Sequence, residues 1–335
     1  MTPLISVIMP VRNAAGTVGA AIESITSQTF RRFELIIVND GSTDETSQIL
    51  NSYHDPRLMV IHQNHRGIAK SLNRAIGLAR SPLIARMDAD DVSSPDRLKT
   101  QYLYLQKHPD TGVVGSLVTF KGDCDKRKGY FLYCQWVNTL VSSHDIYINR
   151  FVDSPLAHPT VLFRKEMIDN YGGYDESELP EDYELWLRWM EKGVRFAKVD
   201  KELLTWSDLP GRLSRTHSNY SREAFYKIKT RYLANWIYRK YQSKLPDIWI
   251  WGMGKAVFQK SSFLKDYGLN IKGYIDVATG AAIRKKRNVI HYSEIPDPVD
   301  VLILSYVGDR KGKNKIRQFL ISKGYKAGVN FYMMA

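Results

Sequence analysis

The sequence predicts an α/β protein built in two units. Three observations carry that expectation. Short apolar runs alternate with helical patterns up to about residue 120. One of these runs, Leu83-Ile84-Ala85-Arg86-Met87, ends abruptly in Asp88-Ala89-Asp90-Asp91. A second alternation begins at Pro246, beyond a basic, aromatic stretch. Strands that alternate with helices make a mostly parallel sheet flanked by helices. A chain of 335 residues has room for two such domains.

Taken in order, the strand-like runs are Ile5–Val11, Glu34–Val38, Leu58–Ile61, Leu83–Met87 and Val113–Phe120. Between them, Val18, Ile22 and Ile25 share one helical face, as do Ala69, Leu72, Ala75, Ile76 and Ala79. Residues 121–155 are polar, aromatic and without a clear period. Thr160–Phe163 reads as a strand, Tyr183–Lys192 as a helix and Arg195–Val199 as a last strand. Over 216–244, Phe225, Ile228, Tyr232 and Trp236 recur at helical spacing among lysines and arginines. Such a helix either packs on its own domain or rests on an anionic membrane. The second unit reads as strand Asp247–Trp251, turn Gly252-Met253-Gly254, helix Ala256–Tyr267 and strand Ile271–Ile275. Val299–Leu304 and Ile316–Lys323 then follow. The expected divisions are 1–215, 216–245 and 246–335.

Composition is that of a soluble globular protein, with 44% apolar and 25% charged residues. No stretch approaches the ~20 apolar residues of a membrane span, and the start has no signal-peptide pattern. Cys124 and Cys134 form neither a disulfide framework nor a metal-ligand spacing, which fits a reducing cytoplasm. The net charge of +13 is uneven: residues 1–210 carry −3 and residues 211–335 carry +16. That asymmetry asks for an anionic partner of the second part. The inner face of the cytoplasmic membrane is one candidate. Nucleic acid would leave the acidic strand tip of the first part without a purpose.

The chemistry concentrates at strand ends, where open α/β sheets bind ligands. Asp88, Asp90 and Asp91 repel one another, and a hard cation such as Mg²⁺ or Mn²⁺ would offset that repulsion. The plainer alternative is an acidic loop before a helix capped by Ser94-Pro95. The first strand runs into Pro10-Val11-Arg12-Asn13 and the second into Asn39-Asp40-Gly41-Ser42. There Gly41 permits a sharp turn, and Ser42 or Thr43 can cap a helix. Asp40 lies before that cap, where its carboxylate can accept the ring N–H of a base such as uracil. Gly67 opens a helix whose free N–H groups favour anions; Lys70, in its first turn, reads as a solvated surface lysine or a phosphate contact. Asp182 sits between the Pro180 turn and a strongly apolar helix. Arg212 and Arg215, after Pro210-Gly211, suit phosphate oxygens.

This ordered set, Pro10-Val11-Arg12-Asn13, Asn39-Asp40-Gly41-Ser42, Asn64…Gly67…Asn73, Met87-Asp88-Ala89-Asp90-Asp91 and Glu181-Asp182…Leu185-Trp186-Leu187-Arg188, resembles the inverting family 2 glycosyltransferases of bacterial polysaccharide synthesis. The resemblance covers residues 4–215. It implies a glycosyltransferase A-type fold, a nucleotide-diphosphate sugar donor (UDP before GDP or dTDP), a divalent metal, and a glycan or lipid-linked acceptor. By the same resemblance, Asp182 is the catalytic base and Asp90 the metal ligand. Asp88 and Ala89 lie near the ribose and metal, Asp40 reads the base, and Pro10, Val11, Arg12, Asn13 and Gly67 hold the nucleotide. Arg212 and Arg215 close on the diphosphate, and His217 is either a further ligand or a solvated loop residue. Leu72 replaces an arginine common in relatives, and Arg12 stands where many carry an aromatic. No processive tryptophan motif is visible, which favours transfer of one sugar.

Two rivals stand beside that reading. A sugar nucleotidylyltransferase would want a glycine- and arginine-rich loop after the first strand, which Met9-Pro10-Val11-Arg12-Asn13 does not supply. A non-catalytic binder of anions would act through the basic second part. In that part, Gly252-x-Gly254 and Asp276 outline a dinucleotide site, but Val257 replaces the third glycine. A nucleotide-free, Rossmann-like accessory module is the expected reading. Oligomeric state and acceptor identity are not legible.

Overall fold

The computed structural model describes residues 2–177, 180–209, 220–277 and 288–335. Its first strand, β1 (Ile5–Val11), and second, β2 (Phe33–Asp40), are continuous apolar runs because both faces of their sheet are covered. Side chains alternate between the faces with period two. Leu35 and Ile37 enter one core and Ile36 and Val38 the other. Helix α1 (Val18–Thr26) buries Val18, Ala21, Ile22 and Ile25 on the first face, the stripe of an amphipathic helix. The second face receives Leu72, Ala75 and Ile76 of α3 (Ile68–Leu78), which follows the short α2 (Thr46–Asn51).

The first sheet continues with β3 (Leu58–Gln63), β4 (Leu83–Arg86), β5 (Val92–Ser93), β6 (Thr111–Lys121), β7 (Leu162–Arg164) and β8 (Arg195–Ser207). Its order is β3-β2-β1-β4-β7-β6-β8-β5. Strands β3, β2, β1 and β4 run parallel, so their carboxyl ends share one edge. Strand β7 is antiparallel to β4 and β6, and β5 is antiparallel to β8. Helices α4 (Arg97–Lys107), α5 (Lys128–Asn138), α6 (Ser143–Asn149), α7 (Glu166–Tyr171) and α8 (Glu181–Glu191) complete this part. In α8, Leu185, Trp186 and Trp189 are wholly buried, and Trp186 and Trp189 meet edge-on at 5.8 Å. The periodless stretch 121–155 holds α5 and α6, and β8 runs eight residues past its expected end at Val199.

Two compact units result: Met1–Ile146 with Pro155–Asn219, and Tyr147–Ser154 with Tyr220–Ala335. The second contains α9 (Arg222–Tyr241), α10 (Lys255–Ser262) and α11 (Arg310–Ser322). Its all-parallel sheet comprises β9 (Asp247–Trp251), β10 (Ile271–Asp276), β11 (Val289–His291), β12 (Val301–Ser305) and β13 (Phe331–Met333). The order β11-β10-β9-β12-β13 reverses direction between β9 and β12, as in doubly wound sheets. The basic aromatic stretch supplies α9 to this unit. The Tyr226 hydroxyl donates to Met334 O at 3.1 Å, and Trp236 meets Tyr332 edge-on at 4.9 Å.

Candidate active site

The carboxyl ends of β1, β2 and β4 gather most of the expected residues. After Val11 the chain turns through Arg12, which is exposed, and Asn13, whose φ of 49° is left-handed. The Asn13 side chain holds that turn, with Oδ1 accepting Thr43 N–H at 2.8 Å. The Ser42 hydroxyl accepts Asn13 N–H at 3.0 Å, and Thr46 Oγ1 accepts Ala14 N–H at 2.8 Å. Ser42 and Thr43 therefore do not cap α2. They tie the first loop to the second and leave Pro10–Asn13 lining the sheet edge.

Asp40 has a role that the sequence reading did not foresee. Its Oδ1 accepts from Gln63 Nε2 at 2.7 Å and Arg66 N at 2.8 Å. Its Oδ2 accepts Gly67 N at 2.9 Å and meets His65 Nδ1 at 2.8 Å. Four contacts match the lone-pair sites of a carboxylate, so in this structure Asp40 holds the loop that opens α3. Burial opposes ionisation of Asp40, but these hydrogen bonds outweigh it and hold the carboxyl below its ordinary range. Gly41 is needed for the same contact. Its φ is +69°, and a Cβ would lie 2.7 Å from His65 N.

The acidic cluster follows β4. Ligand oxygens of Asp88, Asp90 and Asp91 all lie within 4.8 Å of one another. Behind them stands a buried cation that sequence reasoning missed. Arg86 is 1% exposed, and its Nη1 lies 2.6 Å from Asp88 Oδ1. Arg97, also buried, donates to Arg86 O at 2.6 Å. Burial chiefly, with repulsion from Arg86, pulls Arg97 down to about 9, against the attraction of Asp91 and Asp88. Asp91 is anchored by Ser207 N–H at 2.8 Å. The signal in the sequence was a lone arginine inside an apolar run that ends in acids. Oxygen donors this close match what Mg²⁺ or Mn²⁺ asks for, and the two arginines offset part of their mutual repulsion.

Asp182 lies half-buried in the first turn of α8 and accepts Tyr183 N–H at 2.7 Å. A buried tyrosine links it to the acidic cluster. Burial raises the Tyr174 hydroxyl far above its ordinary value; Arg86 opposes that, while Glu181, Asp182 and Asp88 add to it. Tyr174 shares a 2.8 Å hydrogen bond with His158 Nε2. Burial and Arg86 keep His158 well below its ordinary value, hence neutral. Tyr174 and His158 are further residues that no local motif announced. Asn73 fixes the approach to α8: its Nδ2 donates to Tyr174 O at 2.9 Å and its Oδ1 accepts Tyr174 N–H at 3.0 Å. From α8 itself, Arg188 donates to Gly172 O at 3.1 Å and Trp189 Nε1 donates to it at 3.2 Å. The motif residues Asn73 and Arg188 are thus positioning residues. Arg212, Arg215 and His217 lie outside the described residues.

A mixed sheet whose parallel ends carry acids over buried arginines has the make-up of a glycosyltransferase A-type enzyme. The model of the family described as glycosyl transferase family 2 matches residues 6–172. The O-antigen biosynthesis glycosyltransferase WbnJ of Escherichia coli is 33% identical over 211 residues, covering 61% of this chain and 79% of that protein. Among solved structures, TarS of S. aureus in complex with UDP-GlcNAc matches with a TM-score of 0.56 and 21% identity, over 79% of this chain and 71% of that one. A mannosyltransferase of Pyrobaculum calidifontis, in complex with GDP-Man and Mn²⁺, matches with a TM-score of 0.51 and 17% identity, over 80% and 74%. The chain belongs to glycosyl transferase family 2, and its fold is of the A type with a further all-parallel domain. Among the described residues, no helix is long and apolar enough to cross a membrane.

Proposed function

We propose that this chain transfers one sugar from a nucleotide-diphosphate sugar, with UDP as first candidate, to a hydroxyl of a glycan or lipid-linked saccharide. The transfer inverts the anomeric centre and serves cell-surface polysaccharide synthesis. One observation carries the reading: the ligand oxygens of Asp88, Asp90 and Asp91 lie within 4.8 Å of one another at the carboxyl edge where open α/β sheets bind ligands. The O-antigen role in the name of WbnJ and the UDP-GlcNAc in the TarS complex support the donor and acceptor classes.

Asp90 and Asp88 would hold Mn²⁺ or Mg²⁺, as the manganese of the Pyrobaculum enzyme supports. Such an ion supplies positive charge that stabilises a leaving diphosphate. The loop 10–13 and Ala89 border the nucleoside, and Asp40 keeps the 65–67 loop in place beside it. A base N–H reaching Asp40 would exchange with one of its present donors. Arg212 and Arg215 add a guanidinium clamp on the phosphates, and His217 is a candidate extra ligand. Asp182 takes the proton of the acceptor hydroxyl as that oxygen attacks the anomeric carbon from the face opposite the leaving group. Holding both substrates in line provides much of the remaining rate.

The test is Asp182→Asn. Turnover should fall by ~10²–10⁴, while donor affinity, measured by titration with UDP-sugars in Mn²⁺, stays within about twofold. Near-normal turnover would remove Asp182 from the role of base.

A further inference from the structure

The second unit gathers cations in recessed positions. Lys229 of α9 is 3% exposed, and its ammonium donates to Val152 O and Met334 O, each at 2.9 Å. The same ammonium lies 3.9 Å from the centroid of the Tyr226 ring, and Lys260 of α10 approaches that ring at 4.7 Å. Lys313, half-buried in the first turn of α11, is within the electrostatic reach of Lys229. Arg222 and Arg310 bear on Lys260 and Lys313 in turn. Asp153 attracts Lys229 and Lys313, and Asp309 attracts Lys313. Asp309 is occupied as the cap of α11, accepting Gly312 N–H at 2.6 Å.

Burial weighs on these ammonium groups. Burial first, then Lys260 and Lys313, pull Lys229 down to about 7 against the attraction of Asp153. Lys260 and Lys313 are lowered as well, again by burial first. A hydroxyl is also left over. Tyr306, 2% exposed, stacks on Tyr226 at 6.1 Å, and among the described residues its oxygen has no hydrogen-bond partner. Helices α10 and α11 both begin at this edge of the sheet, directing free N–H groups to it. Gly252 shapes the turn before α10: its φ is +115°, and a Cβ would meet Val257 Cγ2 at 3.2 Å.

We propose that the carboxyl edge of the second sheet binds a small phosphate ester or diphosphate, held between Lys260 and Lys313 over the Lys229–Tyr226–Tyr306 cluster. Several ammonium groups with a hydroxyl donor suit a multiply charged, many-oxygen anion. Their recessed placement suits a small molecule. A duplex or a flat membrane reads cations that stand out on a face. The outline Gly252-x-Gly254 gains a ligand class from this cluster, which the two glycines alone did not supply. The inference is independent of the sugar transfer proposed above.

The experiment uses the full chain and inorganic pyrophosphate, with hydrogen exchange read peptide by peptide. This separates the second unit from any binding in the first. Pyrophosphate should slow exchange over 252–263 and 306–316. Lys260→Gln and Lys313→Gln should each weaken the effect roughly tenfold, the worth of one charge-assisted hydrogen bond. Lys313→Arg, which keeps the charge, should retain it and control for folding. No slowing in these segments at millimolar pyrophosphate overturns the proposal. So does unchanged affinity in the Lys260→Gln, Lys313→Gln double variant. Vesicles of phosphatidic acid and of phosphatidylcholine form the second arm. Slowing by the anionic vesicles alone also overturns it, in favour of a membrane surface.

Discussion

The carboxyl edges of the two sheets differ in how their charge is arranged. In the first unit, Asp88, Asp90 and Asp91 emerge at the edge with Arg86 and Arg97 buried behind them. In the second, Lys229 and Lys260 share the Tyr226 ring, and Asp153 attracts Lys229. Both follow one physical rule: charge recessed at a sheet edge is kept only where something offsets it. The first unit supplies much of that offset from its own chain. In the second, the proposed phosphate ligand would add to it.

Removing the internal offset should have the largest effect. Arg86→Met leaves Asp88 beside the other acids without its 2.6 Å partner. Loss of one member of a buried pair costs on the order of 3 kcal/mol. Chemical denaturation should show that loss, and added Mn²⁺ should recover more stability in the variant than in the parent. An unchanged midpoint would mean that the arginine does not offset the acids.

A smaller effect is expected at the edge of β2. Gly41→Ala forces a side chain into left-handed backbone, against a nitrogen 2.7 Å away. The expected cost is roughly 1–3 kcal/mol, with weaker donor binding because Asp40 loses its hold on the 65–67 loop. Full stability with full donor affinity would show that the loop does not depend on that approach.

The pH response should fall in different pH ranges for the two units. Asp40 is more acidic folded than its ordinary 3.8, so its contribution is present above about pH 4 and lost as pH falls through the folded value. Lys229 has a folded value of about 7 against an ordinary 10.5. Above about pH 7 the unfolded state binds more protons, so stability rises up to about pH 10. Thermal unfolding across that range should show the rise, and Lys229→Met should flatten it. A flat parent profile would contradict the buried ammonium.

Much of the fold was legible because burial on two faces writes itself as uninterrupted apolar runs, as in β1 and β2. The stretch 121–155 was not. Helix α5, Lys-Gly-Tyr-Phe-Leu-Tyr-Cys-Gln-Trp-Val-Asn, carries aromatic residues all round and buries only Cys134 and Val137 fully, so no stripe emerges. Strand β8 hid its second half behind Asp200-Lys201-Glu202. There the pairing with β6 shifts register, and the Thr119 hydroxyl donates to Glu202 at 2.5 Å. In the site, Asp90 and Asp182 stood out because each is an acid set against an apolar neighbour. His158 and Tyr174 did not, because each takes its meaning from a partner outside any local motif, and Arg86 did not, because its burial beside Asp88 is set by the fold.

The sequence alone determined the alternation of elements, the acids at the strand ends and the excess of basic residues after residue 210. Those depend on neighbours within a few positions, where period and charge can be read directly. The tertiary structure alone decided that Asp40 holds a loop, that Arg86 stands behind Asp88, and that Lys229 and Lys260 share the Tyr226 ring. The Asp40 contacts and the lysine cluster join residues dozens of positions apart, and Arg86, only two residues from Asp88, takes its role from a burial that the surrounding sheet sets. Only the folded chain sets which charges share a low-dielectric site.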